Sequence, residues 1–162
     1  MMKMIGLILQ KLSSLKDKSR ISRYKKHISG RNYSLGNSVN ISYPQNVEIG
    51  ERTYINGGDI IASENARIII GKDCLISYNV HLRTDMHNYD DCNVLINKQG
   101  HTEKDIIIED DVWIGYGVQI MSGVTIRKGS VIAAGAVLTH STGEYEVWGG
   151  VPARKIKDRG TK

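Results

Sequence analysis

From Ile108 to Gly143 the chain divides into sixes: IEDDVW, IGYGVQ, IMSGVT, IRKGSV, IAAGAV, LTHSTG. The first position is always aliphatic (Ile108, Ile114, Ile120, Ile126, Ile132, Leu138). The fifth is small or β-branched (Val112, Val118, Val124, Ser130, Ala136, Thr142), and glycine takes the fourth at Gly117, Gly123, Gly129 and Gly135. A short fixed period marks a solenoid. A helix would repeat its apolar face at three and four residues. Simple alternation fails too, because the third position is mostly polar (Asp110, Tyr116, Ser122, Lys128, Ala134, His140). One continuous strand of this length would far exceed the usual limit of about ten residues. The chain must therefore bend once per six residues, and glycine near each bend tolerates backbone conformations closed to other residues. Three sixes make one triangular coil with the first positions inward. Coils then stack about 4.8 Å apart through parallel backbone hydrogen bonds.

Upstream the sixes are less regular. Leu35–Asn40 and Ile41–Asn46 are imperfect, with Pro44 suited to a bend. Ile49–Tyr54, Ile55–Ile60 and Ile61–Ala66 form a coil, Arg67–Ile69 reads as a three-residue slip, and Ile70–Leu75, Ile76–His81 and Leu82–His87 form the next. The period stops over residues 88–107 and resumes in register at Ile108. Such an insertion leaves the coil and returns to the same corner, and a loop this long in a compact repeat is usually functional. Residues 1–30 are different: Ile5, Ile8, Leu9, Leu12 and Leu15 fall at helical spacing, with frequent Lys and Arg from Lys11 onward. One reading is a helix capping the solenoid's open end. The other is a basic amphipathic helix resting on an acidic membrane surface. At the other end Gly149-Gly150-Val151-Pro152 forces a turn, and Ala153–Asp158 reads as a last helical turn or strand. The organisation expected is a helical segment over 1–30, a β-helix over 31–156 and a tail over 157–162.

Composition agrees with a narrow core built from Ile and Val: 40% hydrophobic residues, 6% aromatic, and no Phe. The formal charge of +5 favours a polyanionic ligand such as a nucleotide or coenzyme A. No nucleic-acid-binding motif accompanies it. Cys74 and Cys92 lack CxxC spacing, and Cys74, at a fifth position, reads as a buried thiol. The apolar stretch Met4–Leu9 is too short for a membrane span and is followed by lysines instead of a cleavage site. A reducing cytoplasm is the expected location.

Chemistry is expected at Thr84–Asp91 (TDMHNYDD), the mouth of the long loop. His87 ends its six at an outward corner. A neutral imidazole suits proton abstraction from a hydroxyl near pH 7. Position alone leaves a plain surface histidine equally open.

The ordered set formed by His87, the loop 88–107, Asp111-Val112-Trp113-Ile114-Gly115, VIAAGAVLTH (Val131–His140) and GGVPARKI (Gly149–Ile156) resembles the hexapeptide-repeat acyltransferases. Within them it resembles the galactoside, maltose and polysaccharide O-acetyltransferases, over roughly residues 35–156. The resemblance implies an all-β, left-handed parallel β-helix that uses acetyl-CoA and no metal. It also implies a homotrimer with active sites between subunits and a sugar or polysaccharide-precursor acceptor. His87 would be the general base for direct attack on the thioester. A backbone N–H at Gly115 or Tyr116 would stabilise the oxyanion, and Asp85 or Glu103 would orient the imidazole. Coenzyme contacts carried over are Trp113, Tyr116, Ala134, Thr139, Arg154 and Lys155, and Asn56 would meet the acceptor. Thr139-His140 stands where the family commonly has Thr-Lys, which weakens one expected cofactor contact.

Three other readings compete with this one. A γ-carbonic-anhydrase-like zinc protein needs three converging histidines; His81 and His87 are six apart, hence on different corners, and His101 would have to join from the loop. A non-catalytic scaffold would need neither His87 at the loop mouth nor the VPARK terminus. A drug-modifying acetyltransferase of the same superfamily is the alternative within enzymes.

Overall fold

The computed structural model describes residues 2–161; Met1 and Lys162, the outer ends of the two terminal segments, lie outside the described residues. The six-residue period becomes an eighteen-residue coil. Trp113 pairs in parallel with Val131 and Gln119 with Val137, each 18 positions on (131 − 113; 137 − 119). Every first and fifth position from Ile108 to Thr142 is buried. The fourth position adopts left-handed backbone at Gly117, Gly123, Gly129 and Gly135, with φ 68–82°. Arg52, Asp73, Asn79 and Asp111 take the same role in other sixes, at φ 56–61°.

Three faces result. One stacks the start of the strand Tyr54–Ile61 with Leu75–Ile76, Trp113–Ile114, Val131–Ile132 and Glu146–Gly149. The second stacks the end of Tyr54–Ile61 with Val80–Arg83, Gln119–Ile120 and Val137–Leu138. The third stacks Val47–Ile49, Ile68–Ile70, Ile106–Ile108 and Thr125–Ile126. Ser34–Ser42 pairs beneath the long strand. Inside run three columns: Ile55, Ile76, Ile114, Ile132; Ile60, Leu82, Ile120, Leu138; and Ile49, Ile70, Ile108, Ile126. None of the twelve is more than 1% exposed. Each contributes roughly 1.5–3 kcal/mol of apolar burial.

The upstream register needs correction. Ile49 pairs with Ile70, 21 residues on, so that coil does carry three extra residues. They are not inserted at 67–69. The step from Ile55 to Ile60 takes five residues, and that from Ile60 to Ile70 takes ten. Ile60 therefore faces the core and Ile61 is half-exposed. Glycine permits the short step: a Cβ on Gly58 would lie 2.1 Å from the Val80 carbonyl oxygen.

The long insertion has the expected size. Ile70 pairs with Ile108 at a spacing of 38, one coil of 18 plus 20. It leaves earlier than expected, however. Asp85–His87 and His101–Glu103 form a two-stranded antiparallel ribbon, so His87 stands on the ribbon and not at a coil corner. The corner is held by buried Thr84, whose Oγ1 is 2.7 Å from Ser63 Oγ and whose carbonyl accepts from Lys104 N–H and Ser122 Oγ–H.

The ends differ. Helix α1 spans Met2–Lys25. Only its last turns cap the solenoid, through buried Ile21 and half-buried Tyr24. At the far end Arg154–Asp158 is a strand, antiparallel to Glu146–Gly149. Trp148, half-buried, continues the column above Ile132.

Candidate active site

His87 rims a cavity of about 190 Å³ lined also by Met86, Asn88, Tyr89, Lys104 and Ser122. The tip of the ribbon is tied down locally. Asn88 N–H donates to the Gly100 carbonyl, and Thr102 Oγ–H donates to Asn88 Oδ1 at 2.7 Å. Gln99 Nε2 reaches the Asp91 and Val94 carbonyls. The His87 side chain is exposed and has no hydrogen-bond partner among the described residues.

The carboxylates expected to orient it are engaged elsewhere. Asp85 lies 3.6 Å from Arg83. Glu103 accepts from Asn65 N–H at 2.7 Å and from His101 Nε2 at 3.0 Å. The Asn65 N–H, with Ser63 and His101, holds the Glu103 carboxyl below the usual carboxylate range. Both acids line a separate cavity of about 320 Å³ with Arg83 and His101. Lys104 and Ser122, absent from the sequence reading, do reach the His87 cavity. Ser122 was identifiable as the corner residue before Gly123. Lys104 was not, because it belongs to no repeat; a Cβ on Gly123 would meet its side chain at 3.0 Å.

The predicted coenzyme contacts divide between two corners. Tyr116 and Ala134 stack on one: Gly117 N–H bonds to the Tyr78 carbonyl, and Gly135 N–H to that of Tyr116. Ser122 and Thr139 lie on the next, at the far end of the strands Gln119–Ile120 and Val137–Leu138. From Tyr116 to Ser122 is six residues, up to roughly 20 Å of extended chain. His87 shares its cavity with Ser122, so it lies a full face away from Tyr116 in the same chain.

The backbone donors separate as well. Gly115 N–H is spent on the Ile132 carbonyl at 2.8 Å, which removes it as an oxyanion donor. Tyr116 N–H has no acceptor among the described residues. Trp113 is exposed beside Leu75, Val131 and Arg159. Lys155 is bound by Asp158 at 2.7 Å and Glu146 at 2.8 Å, whose hydrogen bonds raise its pKa. It is not a free cation. Arg154 is exposed and makes no ion pair among the described residues. Asn56 lies on the long strand, its carbonyl accepting from Ser38 Oγ–H, outside the His87 cavity. His140 Nδ1 is 2.9 Å from Thr139 Oγ1. Among the described residues no three His, Cys, Asp or Glu side chains converge on a metal position.

Residues 105–140 match the family described as bacterial transferase hexapeptide (six repeats). A putative acetyltransferase of Dictyostelium discoideum is 38% identical over 130 residues, 80% of this chain and 67% of that protein. The chain belongs to the hexapeptide-repeat acyltransferases. This acyltransferase is also 42% identical over 112 residues to a polysialic acid O-acetyltransferase of Escherichia coli O1:K1 / APEC, but spans only 36% of that protein's length. Its fold superposes on a maltose O-acetyltransferase from Clostridium difficile 630 with a TM-score of 0.78, at 29% identity, covering 94% of this chain and 84% of that one. A galactoside acetyltransferase in complex with coenzyme A gives 0.71 at 31% identity, covering 87% and 70%.

Proposed function

We propose that the protein is an acetyl-CoA-dependent O-acetyltransferase acting on a sugar or polysaccharide-precursor hydroxyl, as a cytoplasmic homotrimer with its active sites between subunits. The observation that carries this reading is the cavity beside His87, one face away from the Tyr116–Ala134 corner. A second copy docked corner to face closes that distance. The galactoside, maltose and polysialic acid relatives support the sugar acceptor, and the coenzyme A complex supports the donor.

The imidazole of His87 accepts the proton of the acceptor hydroxyl as its oxygen attacks the acetyl carbonyl carbon. The tetrahedral oxyanion is held by the Tyr116 N–H of a neighbouring chain. Collapse breaks the C–S bond, and the leaving coenzyme thiolate takes the proton back from the imidazolium. A thioester is activated enough that no covalent enzyme intermediate is needed. Trp113, Ala134 and Thr139 line the carrier's path, and Arg154 meets its phosphates. Asn56 is retained as an acceptor contact supplied across the subunit boundary. With Asp85 and Glu103 engaged, His87 is oriented by the substrate itself.

The test is an acetyl-CoA turnover screen over neutral sugars, sialic-acid-type sugars and nucleotide sugars, with His87→Ala beside wild type. Turnover in the variant is expected to fall on the order of a hundredfold or more, with coenzyme affinity unchanged. Near-normal turnover would remove His87 from the mechanism.

A further inference from the structure

The positive charge of the chain is concentrated at one end. Residues 1–26 carry eight Lys and Arg (Lys3, Lys11, Lys16, Lys18, Arg20, Arg23, Lys25, Lys26) and one acid, Asp17, a net of +7. The whole chain is +5, so the remaining residues sum to 5 − 7 = −2. The basic character belongs to α1 and not to the catalytic solenoid.

The same helix shows an uncovered apolar stripe. Ile5, Ile8, Leu9, Leu12 and Leu15 are 48–62% exposed. At about 100° per residue, these five fall within an arc of about 120°. Ile21 and Tyr24, which pack on the first coil, point about 150° away from the centre of that arc. Docking the helix through Ile21 and Tyr24 thus turns the stripe away from the solenoid. Leu7, 60% exposed, lies off the stripe. Three turns of helix therefore present a leucine- and isoleucine-rich face that its own domain does not cover, with lysines beside it.

We propose that α1 is an in-plane anchor that binds an anionic lipid surface, its stripe sunk to the acyl boundary and its lysines at the headgroups. Among the described residues no helix is long and apolar enough to cross a membrane, so the helix lies on the surface. Charge selects lipid over a second copy of the helix. Bundling these segments would bring together net charges of +7 each, whereas anionic headgroups neutralise them. Each lysine near such a surface adds enough affinity to matter, and the attraction is screened by salt. The anchor would hold the His87 cavity close to the bilayer whatever its acceptor.

The test is cosedimentation of the full chain with phosphatidylcholine vesicles, with and without phosphatidylglycerol, at low and high salt. Expected is binding to the anionic vesicles alone, weakened by salt. Neutralising three lysines (Lys11→Gln, Lys16→Gln, Lys18→Gln) should weaken it by roughly a hundredfold. The separate variant Leu9→Glu with Leu12→Glu should abolish it, with solenoid melting unchanged because both side chains are exposed. Failure of the wild-type chain to bind anionic vesicles, or equal binding by either variant, overturns the proposal. So does a drop in oligomer mass on Leu9→Glu with Leu12→Glu without vesicle binding by wild type, which would assign the stripe to contact between copies.

Discussion

At the glycine fourth positions Gly117, Gly123, Gly129 and Gly135 the backbone is left-handed, which an L-residue tolerates poorly. Gly135, at φ 71°, has nothing within 4 Å of where a Cβ would stand. Gly135→Ala therefore isolates the dihedral cost, and chemical denaturation should show a loss of about 1–2 kcal/mol. At Gly129 the same change is worse, because the Tyr145 ring lies 2.3 Å from the new Cβ. The repeat is easy to read where glycine marks the bend and hard to read where Arg52, Asp73 and Asn79 make it instead. The terminal cations show a different limit of sequence reading. Arg154 and Lys155 are adjacent in sequence, yet Lys155 is paired with Glu146 and Asp158 and Arg154 is not. Arg154→Ala should raise the dissociation constant for coenzyme A with acceptor dependence unchanged, by titration calorimetry. Lys155→Ala should instead lower the melting temperature of the terminal hairpin and leave coenzyme affinity nearly alone.

The elements divide along the same line. The coil, the inward aliphatic columns, the slip of three and the insertion of twenty are legible because each follows from spacing. The choice between Ile60 and Ile61 is not, since two adjacent isoleucines look alike; the Gly57-Gly58 shortcut decides it in three dimensions. Likewise nothing in the letters shows that Asp85–His87 pairs with His101–Glu103, which lifts His87 off the coil, while the two carboxylates engage Arg83, Asn65 and His101. The ribbon is anchored by Glu103, and its titration has a definite sign. Its folded pKa is depressed, so its stabilisation is complete above the unfolded value and is lost as pH falls through the folded one. Glu103→Gln should melt below wild type at pH 7. The gap should close as pH falls below the ordinary glutamate range. A gap independent of pH would mean that the carboxylate's charge contributes nothing.

At the scale of the whole molecule the decisive feature is the separation of the two corners. A rigid triangular coil cannot bring its own Tyr116 and Ala134 to its own His87, because the strand Gln119–Ile120 stands between them. Closed cyclic assemblies solve this by setting one subunit's patch against a different patch of the next. The consequence can be measured by mixing lesions. On the proposed mechanism His87→Ala removes the base. Ala134→Trp, at an exposed corner position, should fill the proposed path of the carrier without touching the core. Each variant alone should be inactive. When the two are unfolded together and reassembled, some interfaces join an intact His87 from one chain to an intact Ala134 from the other, and activity should return to a sizeable fraction of wild type. A site contained within one chain predicts no recovery, since every chain in the mixture then carries a lesion in its own site. Recovery with a mass by sedimentation equilibrium other than three chains would keep the shared site and change the assembly that shares it.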